Sequence, residues 1–135
     1  MNKNIFTLTA IIAGIIIVGI AINIMQSGNS EVKVGIGDNG SQIKLNKGQI
    51  LVISLEGNPT TGYRWEVSGL DANLMRKVGE TEFQPESSLI GAGGMQILRF
   101  EVVNEGQVPL KLVYHRPWEK DVEPLKTFYL QVIAG

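Results

Sequence analysis

Beyond residue 40, apolar and polar residues alternate along much of the chain. In the run Tyr63-Arg64-Trp65-Glu66-Val67-Ser68, the aromatic rings and Val67 fall on one face of an extended strand and the polar side chains on the other. This period predicts strands with one buried face, and no segment after residue 30 has the period of a helix longer than one turn. Two more runs repeat the pattern: Leu98, Phe100 and Val102, and Phe128, Leu130 and Val132.

Glycine, asparagine and proline divide this region into short segments at a spacing of about 8–12 residues, which is typical of all-β sandwiches. We predict an immunoglobulin-like antiparallel β-sandwich of about seven strands, labelled A to G. The turn signal Asn104-Glu105-Gly106 predicts a tight hairpin between E and F. The strands are A around Gln42 to Leu45, B from Ile50 to Glu56, C from Tyr63 to Ser68, D from about Leu74 to Thr81, E from Met95 to Val103, F from Gln107 to Tyr114, and G from Lys126 to Ile133.

The N-terminal segment has a different character. From Ile5 to Met25 it is almost wholly apolar, and no charged residue occurs between Lys3 and Glu31. At about 1.5 Å per residue, a helix of this length crosses a hydrocarbon core about 30 Å thick. A secretory signal has a shorter apolar core of about 7–15 residues and a small-residue cleavage site, which only Gln26-Ser27-Gly28 approaches. We therefore favour one uncleaved N-terminal transmembrane helix over a cleaved signal.

This pattern predicts a membrane anchor or signal segment at 1–25, a short tether at 26–32 and one folded domain at 33–135. Lys3 and the amino terminus are the only positive charges before the apolar segment. They favour a cytoplasmic N-terminus and a domain on the extracytoplasmic side of the membrane. Cleavage would instead give a secreted domain.

Composition excludes several classes of function. The chain has no cysteine, and therefore no disulfide, thiolate metal site or cysteine nucleophile. The formal net charge of −1 is scattered and gives no basic surface for nucleic acid. Acidic residues at 119, 121 and 123 suggest a calcium loop, but Lys120 and Pro124 interrupt them and favour a solvated charged loop. We expect no metal, no cofactor and a monomer.

Three short strings between the predicted strands have a composition that suggests contact with a partner. The B–C loop is Asn58-Pro59-Thr60-Thr61-Gly62, the D–E loop is Gly91-Ala92-Gly93-Gly94, and the F–G loop is Arg116-Pro117-Trp118. If successive strands reverse direction, every second connection lies at the same end of a sandwich, as in antibody variable domains. We therefore predict that the three loops form one contact surface, which we call the loop end.

Each loop taken alone could also be a plain connection between strands with no role in binding. The B–C loop has ordinary turn chemistry, because proline fixes φ and glycine accepts positive φ. The D–E loop lacks the lysine and the following helix of a phosphate-binding loop. The F–G loop sets a large aromatic beside a cation on a proline-stiffened segment, which is typical of a binding hot spot. The three loops in this order are more specific than any one of them.

In this order and with this chemistry, the loops closely resemble the signature loops of the chagasin-like inhibitors of papain-family cysteine proteases. The resemblance extends from about Gln42 to Ile133 and includes the run Val113 to Glu119. It implies a reversible, competitive inhibitor that inserts all three loops into the protease cleft. The B–C loop would be the central wedge, with Thr60 nearest the catalytic cysteine and histidine of the target and the other two loops on either side. Tyr63, at a family aromatic position, would support the wedge from beneath.

Catalysis and adhesion are the two alternatives to inhibition. Catalysis is disfavoured, because His115 is the only histidine and neither Ser87 nor Ser88 lies in a nucleophile-elbow motif. An immunoglobulin-like cell-surface adhesion or assembly module would use the same loop end for another protein or a glycan. The fold fits this module equally well, and only the combined loops favour inhibition. The expected partners are papain-like cysteine proteases and, through the N-terminal segment, a membrane.

Overall fold

The computed structural model describes residues 30–135, whose regular structure is β-strand apart from two short 3₁₀ turns, Ile36–Asp38 and Pro59–Thr61. The strands are β1 (Glu31–Val34), β2 (Gln42–Leu45), β3 (Ile50–Gly57), β4 (Arg64–Val67), β5 (Met75–Lys77), β6 (Glu82–Pro85), β7 (Gly94–Val102), β8 (Gly106–His115) and β9 (Lys126–Ala134).

The strands form two sheets that enclose one core. The five-stranded sheet has the order β1-β3-β7-β5, with β6 also paired to β7, and the four-stranded sheet has the order β2-β9-β8-β4. β1 runs parallel to β3 and β2 runs parallel to β9, whereas the other pairs are antiparallel. The predicted all-β sandwich is confirmed. The prediction of about seven antiparallel strands is wrong, because the described residues form nine strands in two mixed sheets.

The two unpredicted strands arise where alternation is short or interrupted. β1 offers only Val32 and Val34 to the core between charged neighbours, and its first two residues belong to the predicted tether, 26–32. The predicted strand D, from about Leu74 to Thr81, contains β5 alone, and β6 lies just beyond its end; both strands pair with β7. Gly79 lies between them with φ +70°, a conformation that ends an extended strand.

The predicted hairpin at Asn104-Glu105-Gly106 is also wrong. The strands on either side of this segment, β7 and β8, belong to different sheets, so the segment crosses from one sheet to the other. A turn signal predicts that the chain changes direction but does not specify which strand the next one joins. β8 pairs instead with β9 and β4.

The core confirms the predicted alternation. Trp65 of β4 is buried, and Tyr63 and Val67 pack against the core while partly exposed. The remaining predicted inward positions are all almost completely buried: Leu98, Phe100, Val102, Phe128, Leu130 and Val132.

Strand direction brings the three loops to one end of the sandwich. β3 runs toward the B–C loop and β7 begins at the D–E loop, because Gly57 pairs with Gly94. β8 runs toward the F–G loop and β9 returns from it, with Tyr114 opposite Lys126. β1 begins at the opposite end, where Glu31 pairs with the first residue of β3.

The predicted transmembrane helix lies outside the described residues. Within residues 30–135, no helix is long and apolar enough to cross a membrane. The anchor, the cleaved signal as its alternative, and the orientation of the N-terminus stay predictions.

Candidate functional site

The B–C loop is a single 3₁₀ turn held by its own first residue. The Asn58 Oδ1 atom accepts hydrogen bonds from the backbone N–H of Thr60 at 3.1 Å and from the Thr60 hydroxyl at 2.6 Å. Pro59 occupies the start of the turn, where its fixed φ suits the geometry. The Thr61 hydroxyl donates to the Asn58 carbonyl at 2.6 Å. These bonds give the loop a defined shape before any partner binds.

Gly62 ends the turn in a conformation that favours glycine. Its φ is +85°, and its N–H donates to the Pro59 carbonyl at 3.0 Å. A methyl group on Gly62 would lie 2.5 Å from Cη2 of Trp118. Glycine is therefore required twice, by the left-handed backbone and by the indole ring that covers it.

The D–E loop is joined to the B–C loop through Asn58. The Asn58 Nδ2 atom donates to the Gly91 carbonyl at 3.0 Å, and Gly91 has a φ of +84°. Ala92 and Gly93 are half-buried beside this contact. Gly94 is buried as the first residue of β7 and presses against the backbone of β6, so it lies in the sheet and not on the surface of the loop.

Two exposed apolar residues, Leu89 and Ile90, immediately precede the D–E loop. Their relative exposures are 75% and 104%. Neither residue is among the positions predicted from the sequence to contact a partner. One signal in the sequence could have identified them. The two apolar residues follow Ser87-Ser88 and belong to no alternating run, so no strand face is available to bury them.

The F–G loop is tied to the B–C loop through Arg116. The Arg116 Nε atom donates to the Thr61 carbonyl at 3.1 Å, and its guanidinium lies 4.5 Å from the centre of the Tyr63 ring. Glu119 lies 3.4 Å from the same guanidinium. Trp118 is 65% exposed, whereas Pro117 beside it is half-buried. Arg116 thus orders the loop end from within, and Trp118 is presented to solvent.

A column of aromatic rings lies beneath the loops. Tyr63 stacks on Tyr114 with ring centres 5.4 Å apart, and Tyr114 lies 5.1 Å from Trp65. The Tyr114 hydroxyl accepts a hydrogen bond from the Asn58 N–H at 3.0 Å. Tyr63 thus packs on the ring whose hydroxyl holds the first residue of the B–C loop, and its support of the wedge stays a prediction. Tyr114 was not predicted, because in the sequence it is only the last inward position of strand F.

His115, the candidate catalytic histidine, pairs with an acidic residue of the neighbouring strand β4. His115 Nε2 lies 2.8 Å from Glu66 Oε1, and Glu66 Oε2 lies 3.0 Å from Arg64. Within residues 30–135, no group of three histidine, cysteine or acidic residues is arranged to hold a metal ion. The three predicted loops are thus joined by hydrogen bonds of Asn58 and Arg116. The imidazole of His115 pairs instead with Glu66 of β4.

Comparisons with known proteins agree with this architecture. The sequence profile described as "Chagasin family peptidase inhibitor I42" matches residues 44–132. Chagasin of Trypanosoma cruzi is 34% identical over 90 residues, which cover 64% of this chain and 82% of chagasin.

Two solved structures share the fold. The cysteine protease inhibitor EhICP2 of Entamoeba histolytica matches with a TM-score of 0.70 at 22% identity, covering 79% of this chain and 97% of EhICP2. PbICP-C, solved in complex with falcipain-2, matches with a TM-score of 0.53 at 20% identity, covering 78% of this chain and 99% of PbICP-C. Because the profile spans most of the folded domain and the chagasin match covers most of that relative, this chain belongs to the chagasin family of peptidase inhibitors.

Proposed function

We propose that this protein is a reversible, competitive inhibitor of papain-like cysteine proteases and is not an enzyme. EhICP2 is named as a cysteine protease inhibitor, and PbICP-C binds falcipain-2. One observation in this chain carries the proposal: hydrogen bonds join the three signature loops into a single surface. Asn58 links the B–C loop to Gly91, and Arg116 links it to the F–G loop.

The B–C loop has the properties of a wedge that is not cleaved. A papain-like site attacks a peptide bond that is presented in an extended conformation to its thiolate. Pro59–Thr61 is instead a 3₁₀ turn. Three backbone carbonyls of the loop also accept hydrogen bonds: those of Asn58 and Pro59 from N–H donors of the turn, and that of Thr61 from Arg116 Nε. The hydrogen-bonded turn can therefore fill the cleft without presenting an extended peptide bond for attack.

The three loops have different roles in this proposal. Asn58 to Gly62 enter the cleft, with exposed Thr60 nearest the catalytic cysteine and histidine of the target. Gly91 to Gly93 lie along one side, where Leu89 and Ile90 add apolar area, whereas Gly94 belongs to β7 and supports the loop from the sheet. Arg116 to Trp118 lie along the other side, with the exposed indole as their main contact.

Pre-ordering supports tight binding. A loop that already has its bound shape avoids most of the entropy cost of ordering on association. Protease–inhibitor interfaces bury roughly 1,600 Å² in total and are among the tightest known. We therefore expect an inhibition constant on the order of nanomolar or lower for a well-matched target.

The direct test is inhibition of papain and several related proteases by residues 31–135. The described strand pairs and core residues lie within this range, so the domain contains its own core. Inhibition should be competitive with substrate, and a serine protease and a metalloprotease should retain full activity. Absence of inhibition across the panel at micromolar concentration would favour the adhesion module. Digestion of the folded domain at the Thr60-Thr61 bond would also contradict the proposal.

We further propose that residues 5–25 anchor the protein in a membrane with its domain on the extracytoplasmic side, or that their cleavage releases a secreted domain. The apolar composition of this segment supports membrane contact. The described domain begins at Glu31, beside Ile50 and a strand length away from the B–C loop.

A further inference from the structure

The backbone N–H of Asn58 lies just beyond the end of a strand ladder. Pairing of β3 with β7 stops at Gly57, opposite Gly94. A partly buried N–H at this point needs an acceptor outside the ladder. It finds one in the hydroxyl of Tyr114, at 3.0 Å and 56 residues away in sequence. Tyr114 belongs to β8, so this bond joins the two sheets at the start of the B–C loop.

The Tyr114 ring is itself held firmly. It is 6% exposed, lies between the rings of Tyr63 and Trp65, and has the Lys126 ammonium 5.4 Å from its centre. Tyr63 follows the B–C loop, and Asn58 begins it. Both ends of the loop therefore rest on the same side chain, one through a hydrogen bond and the other through ring stacking.

We propose that Tyr114 is a positioning residue for inhibition. Its hydroxyl fixes the point at which the B–C loop leaves the sheet, and so sets the fraction of free protein whose wedge is ready to bind. The Asn58 side chain also fixes the D–E loop relative to the B–C loop, because its Nδ2 atom donates a hydrogen bond to the Gly91 carbonyl. Because Tyr114 is buried, it acts through Asn58 and not through contact with the target. This inference rests on the proposed function.

The proposal makes a kinetic distinction. Apparent affinity falls in proportion to the fraction of molecules in the binding-competent conformation. A residue that only sets this fraction in the free protein changes the association rate constant. A residue that touches the target acts mainly on the dissociation rate constant.

The test compares Tyr114→Phe, which keeps the ring and removes the hydroxyl, with Tyr129→Phe as a matched control. The Tyr129 hydroxyl donates to Gln131 at 2.8 Å within β9. We use the full-length chain in mild detergent, because its first 25 residues are mostly apolar. Association and dissociation rate constants are measured with papain, and exchange of the Asn58 amide hydrogen is measured by NMR in the free protein.

For Tyr114→Phe we expect the association rate constant to fall about three- to tenfold, in line with the loss of one hydrogen bond. The dissociation rate constant should stay within about twofold, and the Asn58 amide should exchange several times faster. Tyr129→Phe should change none of these three quantities. Tyr114→Phe should lose more melting temperature than Tyr129→Phe, because it leaves the partly buried Asn58 N–H without its acceptor, whereas the Tyr129 hydroxyl bond is exposed.

An unchanged association rate constant for Tyr114→Phe would overturn the proposal, as would an effect confined to dissociation with unchanged Asn58 exchange. If the parent protein itself failed to inhibit, the proposed function would fall. The exchange rate of Asn58 in the free variants would still decide whether Tyr114 holds the loop.

Discussion

Trp118 offers the most informative single substitution, because most of its indole is solvent-exposed in the free protein. The side chain is 65% exposed, and its buried edge lies against Gly62. Trp118→Ala therefore removes far more potential contact with a target than contact within the domain.

The magnitude follows from the exposed area. An aromatic side chain of this size has up to about 250 Å² of surface, of which roughly 160 Å² is available for burial by a target. At about 25 cal/mol per Å² this gives a ceiling of roughly 4 kcal/mol. Buried area at an interface contributes less binding free energy than this ceiling. We therefore expect Trp118→Ala to lose about 2–4 kcal/mol of binding free energy, which is a rise in the inhibition constant of roughly 30- to 1,000-fold.

The assay measures the inhibition constant against papain together with thermal unfolding for Trp118→Ala. Loss of the smaller buried edge should cost no more than about 1–2 kcal/mol of folding stability, so the variant should remain folded. Tyr129→Ala, a truncation of an aromatic in the middle of β9, should leave the inhibition constant within about threefold of the parent. If folded Trp118→Ala inhibited as well as the parent while substitution of Glu105 at the opposite end abolished inhibition, the loop end would be the wrong surface.

Three further predictions test other parts of the account. Gly62→Val should lose about 2–4 kcal/mol of stability, since strained backbone and overlap each cost about 1–3 kcal/mol. Gly37→Val, where a side chain meets open space, should lose less than about 1 kcal/mol in the same thermal unfolding assay, and equal losses would refute this reasoning. Thr60→Trp should weaken inhibition by far more than Thr60→Ala, whose loss of one hydrogen bond costs up to about tenfold, and the reverse order would exclude a buried wedge tip. Mass spectrometry of the membrane fraction should find the original N-terminus, whereas a soluble form beginning within residues 26–30 would show cleavage.

The alternation of apolar and polar residues was sufficient to predict the all-β class and the inward faces of β4, β7 and β9. Each of these strands has at least three inward positions, so the two-residue period is easily recognised. β1 has only two such positions between charges, and its parallel pairing with β3 depends on residues about 20 positions later. Local periodicity carries no information about that pairing, which explains why the sheets were expected to be purely antiparallel.

The loops were predictable as a set, because the three strings occur in one order between alternating strands, although the B–C loop alone has ordinary turn chemistry. The contacts that join the loops were not predictable. The bonds from Asn58 to Tyr114 and to Gly91 cross 56 and 33 residues of sequence. They depend on the three-dimensional order of the strands. The exposed pair Leu89 and Ile90 was also missed, because two apolar residues outside a periodic run do not indicate whether they are buried or exposed.

The central claim is that the loop end contacts the active-site cleft of a papain-like protease, and hydrogen–deuterium exchange of residues 31–135 with and without papain tests it most directly. Binding should slow exchange in peptides that contain residues 58–62, 89–94 and 116–118, and leave the peptide around Asn104-Glu105-Gly106 unchanged. Slowed exchange around Asn104-Glu105-Gly106 with unchanged exchange in the three loops would contradict the account.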